Sequence, residues 1–255
     1  MLEHFLVSQV FAFLLIFCRI GSGIMVMPGF RENYVSPRIR LGIALMITLI
    51  ITPLLSKTMP SLPSSLFTLV LLAGSEILIG IFIGSVCNII ISATHVAGMI
   101  FSFQSGISSA VIFDATQNSQ GSLVGNFLGL ATIVLLFSTN LHHLMVLGLT
   151  KSYTVFIPGQ FPPMHDFLET LARIISDTFI IALQISMPFI IAGTLLFLGG
   201  GILSRLMPTI QVFFLITPVQ LLIGFFMLMA AFSTMMLWYM EFYKEKLMSF
   251  TSYIH

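Results

Sequence analysis

One stretch of the sequence decides the fold class: residues 65–101 read SLFTLVLLAGSEILIGIFIGSVCNIIISATHVAGMIF. Its only formal charge is Glu76, and apolar side chains cover every face that a helix would present. The run is far longer than a buried strand, and this length favours a helix. About 20 apolar residues already suffice to cross a bilayer. The stretch therefore predicts a membrane helix that is either very long or broken.

Composition extends this conclusion to the rest of the chain. Of the 255 residues, 57% are apolar and only 7% are Asp, Glu, Lys or Arg, whereas an ordinary soluble domain carries about 25% charged residues. No formal charge occurs between Glu76 and Asp114, or between Arg205 and Glu241. Such a chain cannot cover a soluble enzyme with polar surface, and its net charge of +1 offers no basic face for nucleic acid. Its solvent is therefore lipid or other apolar protein.

Five further apolar segments predict an all-α fold built from membrane-associated helices. They cover residues 5–27, 41–56, 123–149, 174–203 and 209–240. Pro188 and Pro218 lie inside the last two, where each removes a backbone donor and is expected to kink its helix. Gly80 and Gly84 have the spacing that lets two helices approach closely, although membrane helices are generally rich in glycine.

The distribution of basic residues does not define a simple topology. The loop at residues 29–40 is basic, which favours a cytoplasmic location. Summed over six spans, however, one set of loops carries four Lys and Arg residues, and the other set, with the tail, carries five. This near-balance argues against an independent series of spanning helices.

Four polar groups lie in or near the apolar segments: Arg19, Glu76, His95 and Asp177. A charge at membrane depth is costly and normally faces a partner or water. Two hypotheses follow, a proton relay and pairing between helices or subunits. We favour pairing because the groups are few and show no repeated spacing. His142 and His143 would point about 100° apart on a helix, which does not form a metal-binding face. Without a catalytic cluster or phosphate-binding loop, we expect no enzyme, cofactor or metal site.

Residues 101–122 differ in kind from the segments around them. They read FSFQSGISSAVIFDATQNSQGS, which is rich in small polar residues but carries a single charge. Irregular polar backbone between membrane helices is tolerated where it lines a water-filled cavity or is buried in protein. Two interpretations remain, an ordinary surface loop and a small adaptable plug. Gly106 and Gly121 are possible hinges, and the stretch also contains the apolar residues Ile107, Val111, Ile112 and Phe113.

Short motifs in a fixed order carry a family resemblance. They are Met27-Pro28-Gly29, Val35 to Leu41, Glu76 to Gly80, Ala97-Gly98, Gln104-Ser105-Gly106, Phe113-Asp114, Asn140 to His143, Ser204 to Pro208, Gln211-Val212-Phe213 and Pro218. In these motifs the chain resembles the family of flagellar biosynthetic protein FliR and its type III secretion counterparts, over nearly its whole length. It departs from the family at Ala115, where Pro is usual, and at Leu141, where Gly is common.

The resemblance implies a subunit of the flagellar type III protein export gate in the bacterial inner membrane. One FliR-like chain would form the pore with FliP-like and FliQ-like subunits, beside FlhB-like and FlhA-like components, within the MS ring of the basal body. Its single domain would combine a FliP-like part, residues 1–173, a FliQ-like helical hairpin, residues 174–240, and a tail, residues 241–255, wound into a helical assembly. Unfolded export substrates would pass through the pore, and no nucleic acid would bind.

The resemblance also implies roles for particular residues. The segment 104–122 would be a plug that seals the closed channel. Its candidate gating residues are Gln104, Gly106, Ile107, Val111, Ile112, Phe113 and Asp114. The tip of the hairpin would lie at Arg205, Pro208 and Gln211. The candidates for assembly or intramembrane polar contacts are Arg19, Glu76 and Asp177. The alternative function is a small-molecule secondary transporter or channel of the inner membrane. Such a protein should show internal repeats with paired broken helices, and the sequence shows no convincing repeat.

Overall fold

The computed structural model describes residues 2–108, 122–160, 164–207 and 212–252. Within these ranges every regular element is a helix and no strand occurs, which confirms the all-α prediction. The helices are α1 (Leu2–Val26), α2 (Pro37–Leu55), α3 (Leu66–Gln104), α4 (Leu123–Ser138), α5 (Leu141–Val155), α6 (Met164–Leu206) and α7 (Val212–Ser252), with a 3-10 turn at Ser56–Thr58.

The longest apolar stretch forms one continuous helix. Helix α3 runs unbroken for 39 residues, and α6 and α7 reach 43 and 41 residues. Pro188 and Pro218 lie inside the unbroken α6 and α7. Both of these helices also extend beyond the apolar segments that the sequence defines. Helix α6 begins in the polar region before residue 174, and α7 continues through the charged residues 241–246.

The fourth apolar segment is two helices rather than one. The break falls between α4 and α5, where Asn140 adopts a left-handed conformation with φ 59°. Asn is among the few residues other than Gly that tolerate this region. Among the described residues, five helices are long and apolar enough to cross a membrane: α1, α2, α3, α6 and α7. The pair α4 and α5 meets the same criteria only as one bent span, giving up to six.

The described residues form two compact units, and α3, α6 and α7 each contribute to both. Unit 1 draws on residues 1–90, 137–174 and 244–255. Its core is built by α1, the first part of α3, and α5. The buried apolar side chains include Leu15, Ile16, Ile20, Ile79, Ile83, Met145 and Leu149.

Helices α1 and α3 approach closely within unit 1. A Cβ added to Gly80 would collide with Ser22 Oγ and the Arg19 carbonyl oxygen, and one added to Gly84 would lie 2.7 Å from the Gly23 carbonyl oxygen. The two glycines therefore remove side chains where the helices touch, as small residues at this spacing do in membrane helix pairs.

Unit 2 draws on residues 91–136 and 175–243. Here α3 and α4 also lie close together, since a Cβ on Gly98 would collide with the Gly125 backbone. The buried hydroxyl of Thr132 is satisfied locally: Oγ1 donates to the Leu128 carbonyl at 2.8 Å and also contacts Thr94 Oγ1 at 3.2 Å. The buried apolar side chains include Ala97, Phe101, Leu128, Ile181, Ile185, Phe189, Met236 and Tyr239.

Candidate functional site

A buried ion pair lies at the centre of unit 1. Arg19 of α1 donates to Glu76 of α3 twice, through Nε to Oε2 at 2.6 Å and through Nη2 to Oε1 at 3.0 Å. The exposed fractions are 0% and 1%, so water does not screen the pair. Two parallel bonds between a guanidinium and a carboxylate form the strongest geometry available to these groups.

Two further donor contacts of Arg19 reach α5 and the residue that follows it. Nη1 donates to Ser152 Oγ at 3.2 Å, and Nη2 donates to the Phe156 carbonyl oxygen at 2.9 Å, at the end of α5. The Tyr153 ring lies 4.0 Å from the Arg19 Cζ, which is the distance of a cation–π contact. One side chain therefore connects α1, α3 and α5 through four donor contacts.

The other two polar groups of the apolar segments belong to unit 2. His95 is exposed on α3, with its ring beside Gly129 of α4, and a Cβ on Gly129 would lie 2.7 Å from the His95 Cδ2. Asp177 is half-buried on α6. Neither is part of the Arg19–Glu76 cluster.

A second polar cluster lies in unit 2 where α3 ends. Gly106 adopts φ +75°, the left-handed conformation with which many helices terminate. The turn is closed by the Ser105 amide, which donates to the Phe101 carbonyl at 2.8 Å. Ile107, the next residue, is buried. The structure thus gives positions to three candidate gating residues, Gln104, Gly106 and Ile107.

The end of α3 is seated against α6 and α7. The Gln220 side chain on α7 donates through Nε2 to the Gln104 carbonyl oxygen. The Gln104 side chain occupies the space beside Gly193 of α6, where a Cβ would collide with it. Phe101 packs edge-on against Phe189 of α6, with ring centroids 4.8 Å apart. These contacts hold the end of α3, from which residues 105–107 continue, against α6 and α7.

The start of α4 is tied to the same end of α3. Ser122 Oγ accepts from the Gly125 amide at 3.0 Å, which is the N-cap interaction that begins many helices. The same hydroxyl lies 2.6 Å from Ser102 Oγ and 3.2 Å from the Gly98 carbonyl oxygen. The two ends of the polar segment are therefore joined by hydrogen bonds.

Several predicted site residues lie outside the described ranges. They are Val111, Ile112, Phe113 and Asp114 of the gating set, and Pro208 and Gln211 of the hairpin tip. Arg205 is described and lies exposed in the last turn of α6.

Some of the family motifs shape turns. Ser36 caps α2 by accepting from the Ile39 amide at 3.4 Å, and Pro37 takes the first helical turn, where its missing donor costs nothing. Arg40 donates to the Glu32 and Val35 carbonyl oxygens at 2.6 and 3.1 Å. The Arg40 side chain thus holds the basic loop between α1 and α2 in place.

Sequence reasoning missed Gln220, Ser152 and Tyr153. Gln220 left a signal, because an amide inside an apolar helix requires a hydrogen-bond partner. Ser152 and Tyr153 left none, since they lie in a polar stretch where such residues are ordinary. Among the described residues, no group of three or more His, Cys, Asp or Glu side chains is arranged to hold a metal ion.

Long apolar helices, two of them joined by the buried Arg19–Glu76 pair, are typical of a membrane protein. The model of one family, described as Bacterial export proteins, family 1, matches residues 10–245. The chain belongs to this family.

Similar proteins with known names indicate which kind of export protein this chain is. The chain is 32% identical to flagellar biosynthetic protein FliR of Caulobacter vibrioides over 243 residues, covering 95% of this chain and 97% of the relative. It is 32% identical to the FliR protein of Bacillus subtilis, covering 87% and 86%. It is also 29% identical to Yop proteins translocation protein T of Yersinia pestis, covering 71% and 70%. The chain is therefore a membrane component of the flagellar type III export apparatus.

Proposed function

We propose that this chain is the FliR-like subunit of a flagellar export gate, and that residues 104–122 plug its closed pore. The observation that carries the proposal is the way residues 104–107 are held at the end of α3. Gly106 turns the chain out of α3, Ile107 is buried, and Gln220 holds the Gln104 carbonyl. A segment that seals a pore needs a fixed point of attachment, which we call its root and which residues 104–107 form here. It also needs apolar side chains that exclude water, here Ile107, Val111, Ile112 and Phe113.

In this proposal the pore is shared with FliP-like and FliQ-like subunits. The exposed apolar surface of the chain supports such partners, because only 11% of the most apolar window of α2, and of α7, is buried within the chain. The part of the chain over residues 1–173 corresponds to a FliP-like unit, residues 174–240 to a FliQ-like hairpin, and residues 241–255 to a tail. FlhB-like and FlhA-like components lie alongside within the MS ring, and unfolded substrates pass through.

Other candidate residues take supporting roles. Arg19 and Glu76 hold α1, α3 and α5 together, so that the surface offered to partners keeps its shape. Asp177 is a candidate for an intersubunit polar contact. Arg205, Pro208 and Gln211 mark the cytoplasm-facing tip of the hairpin. The chain itself carries out no bond chemistry in this proposal.

The test is deletion of residues 106–118 in a complex co-expressed with the partner subunits. We expect the complex to assemble and to leak small molecules or ions across the membrane. A variant of unchanged length, with Ile107, Val111, Ile112 and Phe113 replaced by Ser, should leak as well. The matched control replaces Ser108, Ser109 and Ser119 with Ala and should remain tight. A tight deletion variant that instead abolishes uptake of one solute would favour a secondary transporter and reject the gate.

A further inference from the structure

We propose that Gln220 of α7 is a positioning residue of the gate: its hydrogen bond holds the end of α3, and with it Gly106 and Ile107, on α6 and α7 in the closed state. Export then requires this contact to open. The inference rests on the proposed function. It adds a residue outside the plug segment that holds the root of the plug in place.

The hydrogen bond from Gln220 lies at the end of α3. Gln104 is the last residue of α3, and the final carbonyls of a helix lack a partner within the helix. Gln220 supplies a donor to the Gln104 carbonyl from another helix. Its side chain is 4% exposed and lies in a long apolar run, where an amide is costly unless it is bonded. The interaction is thus local, buried and directed at the residue from which the segment departs.

The surfaces of α6 and α7 that hold the end of α3 fit it closely. A Cβ added to Gly224 of α7 would lie 3.1 Å from the Ser105 Cβ, and one added to Gly106 would lie 3.6 Å from the Thr217 Cγ2. Gly193 of α6 leaves room for the Gln104 side chain. The residues around the turn therefore fit α6 and α7 closely, with side chains missing where they would interfere.

A small cleft lies beside the end of α3 and is lined in part by Phe101, Gln104, Phe189, Gly193, Ile223 and Gly224. The Gln104 side chain borders this cleft, and the hydrogen bond from Gln220 holds its carbonyl next to it.

The first test is Gln220→Leu in the complete co-expressed complex, because Leu keeps much of the volume and removes the donor. We expect an assembled complex whose basal leak of a small fluorescent dye rises severalfold while substrate export continues. Gln184→Leu is the matched control, since Gln184 is exposed on α6, and it should remain as tight as the unmodified complex.

Combination with the deletion of residues 106–118 gives the decisive comparison. If Gln220 acts through the root of the plug, Gln220→Leu should add no leak to the deletion variant. An assembled, tight Gln220→Leu complex overturns the inference, and so does a leak that adds to that of the deletion. In both cases a leaking deletion variant leaves the proposed function standing. A deletion variant that does not leak rejects the proposed function and this inference together.

A cross-link keeps the inference testable if Gln220→Leu does not assemble. Cysteines are placed by Ser105→Cys and Gly224→Cys, in a chain with Cys18 and Cys87 replaced by Ala. The 3.1 Å separation is slightly below the Cβ–Cβ range of disulfides, about 3.5–4.5 Å, so a small shift is enough to form the bond. Oxidation of the double-cysteine variant should stop export and reduction should restore it. The reduced double variant and the Ser105→Cys variant are the controls, because Gly224→Cys by itself adds a side chain that crowds Ser105. Unchanged export with the cross-link fully formed overturns the requirement for release.

Discussion

Arg19 shows how one residue can organise the interior of a membrane protein. A buried guanidinium is tolerable only if its donors are satisfied, and four donor contacts join Arg19 to Glu76, Ser152 and Phe156. Lys would supply a point charge without the planar fork that binds both carboxylate oxygens. The identity of the residue therefore matters as much as its charge.

Removal of one member of this pair should be worse than removal of both. Arg19→Met or Glu76→Met leaves the other charge buried and uncompensated, at a cost of about 3–5 kcal/mol. The double variant Arg19→Met/Glu76→Met replaces both by apolar groups and should lose less stability than either single variant. The measurement is the thermal unfolding midpoint of the purified complex. A double variant that loses the sum of the two single effects would contradict this account of the pair.

The sequence predicts which residues are unusual better than it predicts their partners. Arg19 and Glu76 were visible as isolated charges in apolar runs, but they pair across 57 positions of the chain. Periodicity describes one helix at a time, so it cannot reveal which of several helices will face a given residue. Gln220 is the same case, with 116 positions between donor and acceptor.

At the scale of helices, the contact between α1 and α3 depends on missing side chains. Gly80→Val should destabilise unit 1, because the added atoms would collide with Ser22 Oγ and with the α1 backbone at Arg19. Overpacking of this kind typically costs about 1–3 kcal/mol. The matched control is Gly74→Val on the same helix, where nothing lies within 4 Å of an added Cβ. Resistance of the assembled complex to proteolysis measures the difference, and equal resistance of both variants would refute the close-approach argument.

Apolar runs located the helices but did not set their ends. Hydropathy detects the part of a helix that avoids water, so the polar first turns of α6 and the charged last turns of α7 were missed. Glu169 and Arg173 extend α6 as an exposed i,i+4 pair with a 3.1 Å separation, which stabilises a helix without apolar side chains. The break at Asn140 is missed for the opposite reason, since the polar stretch around it is short and long apolar runs continue on both sides.

At the scale of the whole molecule, we expect the outward apolar surface to be covered in part by partner subunits. Helices α2 and α7 bury only 11% of their most apolar windows within the chain. We expect the chain expressed alone to be degraded or to aggregate, and co-expression with FliP-like and FliQ-like subunits to lengthen its lifetime in the membrane. Pulse-chase labelling with and without the partner genes measures the effect. A long-lived, monodisperse monomer in the absence of partners would count against obligate assembly.

The length of α3 has a consequence for how the protein meets the bilayer. Its 39 residues extend about 58 Å, whereas the hydrocarbon layer is about 30 Å thick. Fitting that length by inclination alone would need a tilt of roughly 60°, beyond the 0–40° range that membrane helices adopt. We therefore expect part of this apolar helix to lie outside the hydrocarbon layer, in contact with protein. Hydrophobic matching then does not fix the depth at which the chain sits, and its fold should tolerate lipids of different chain length.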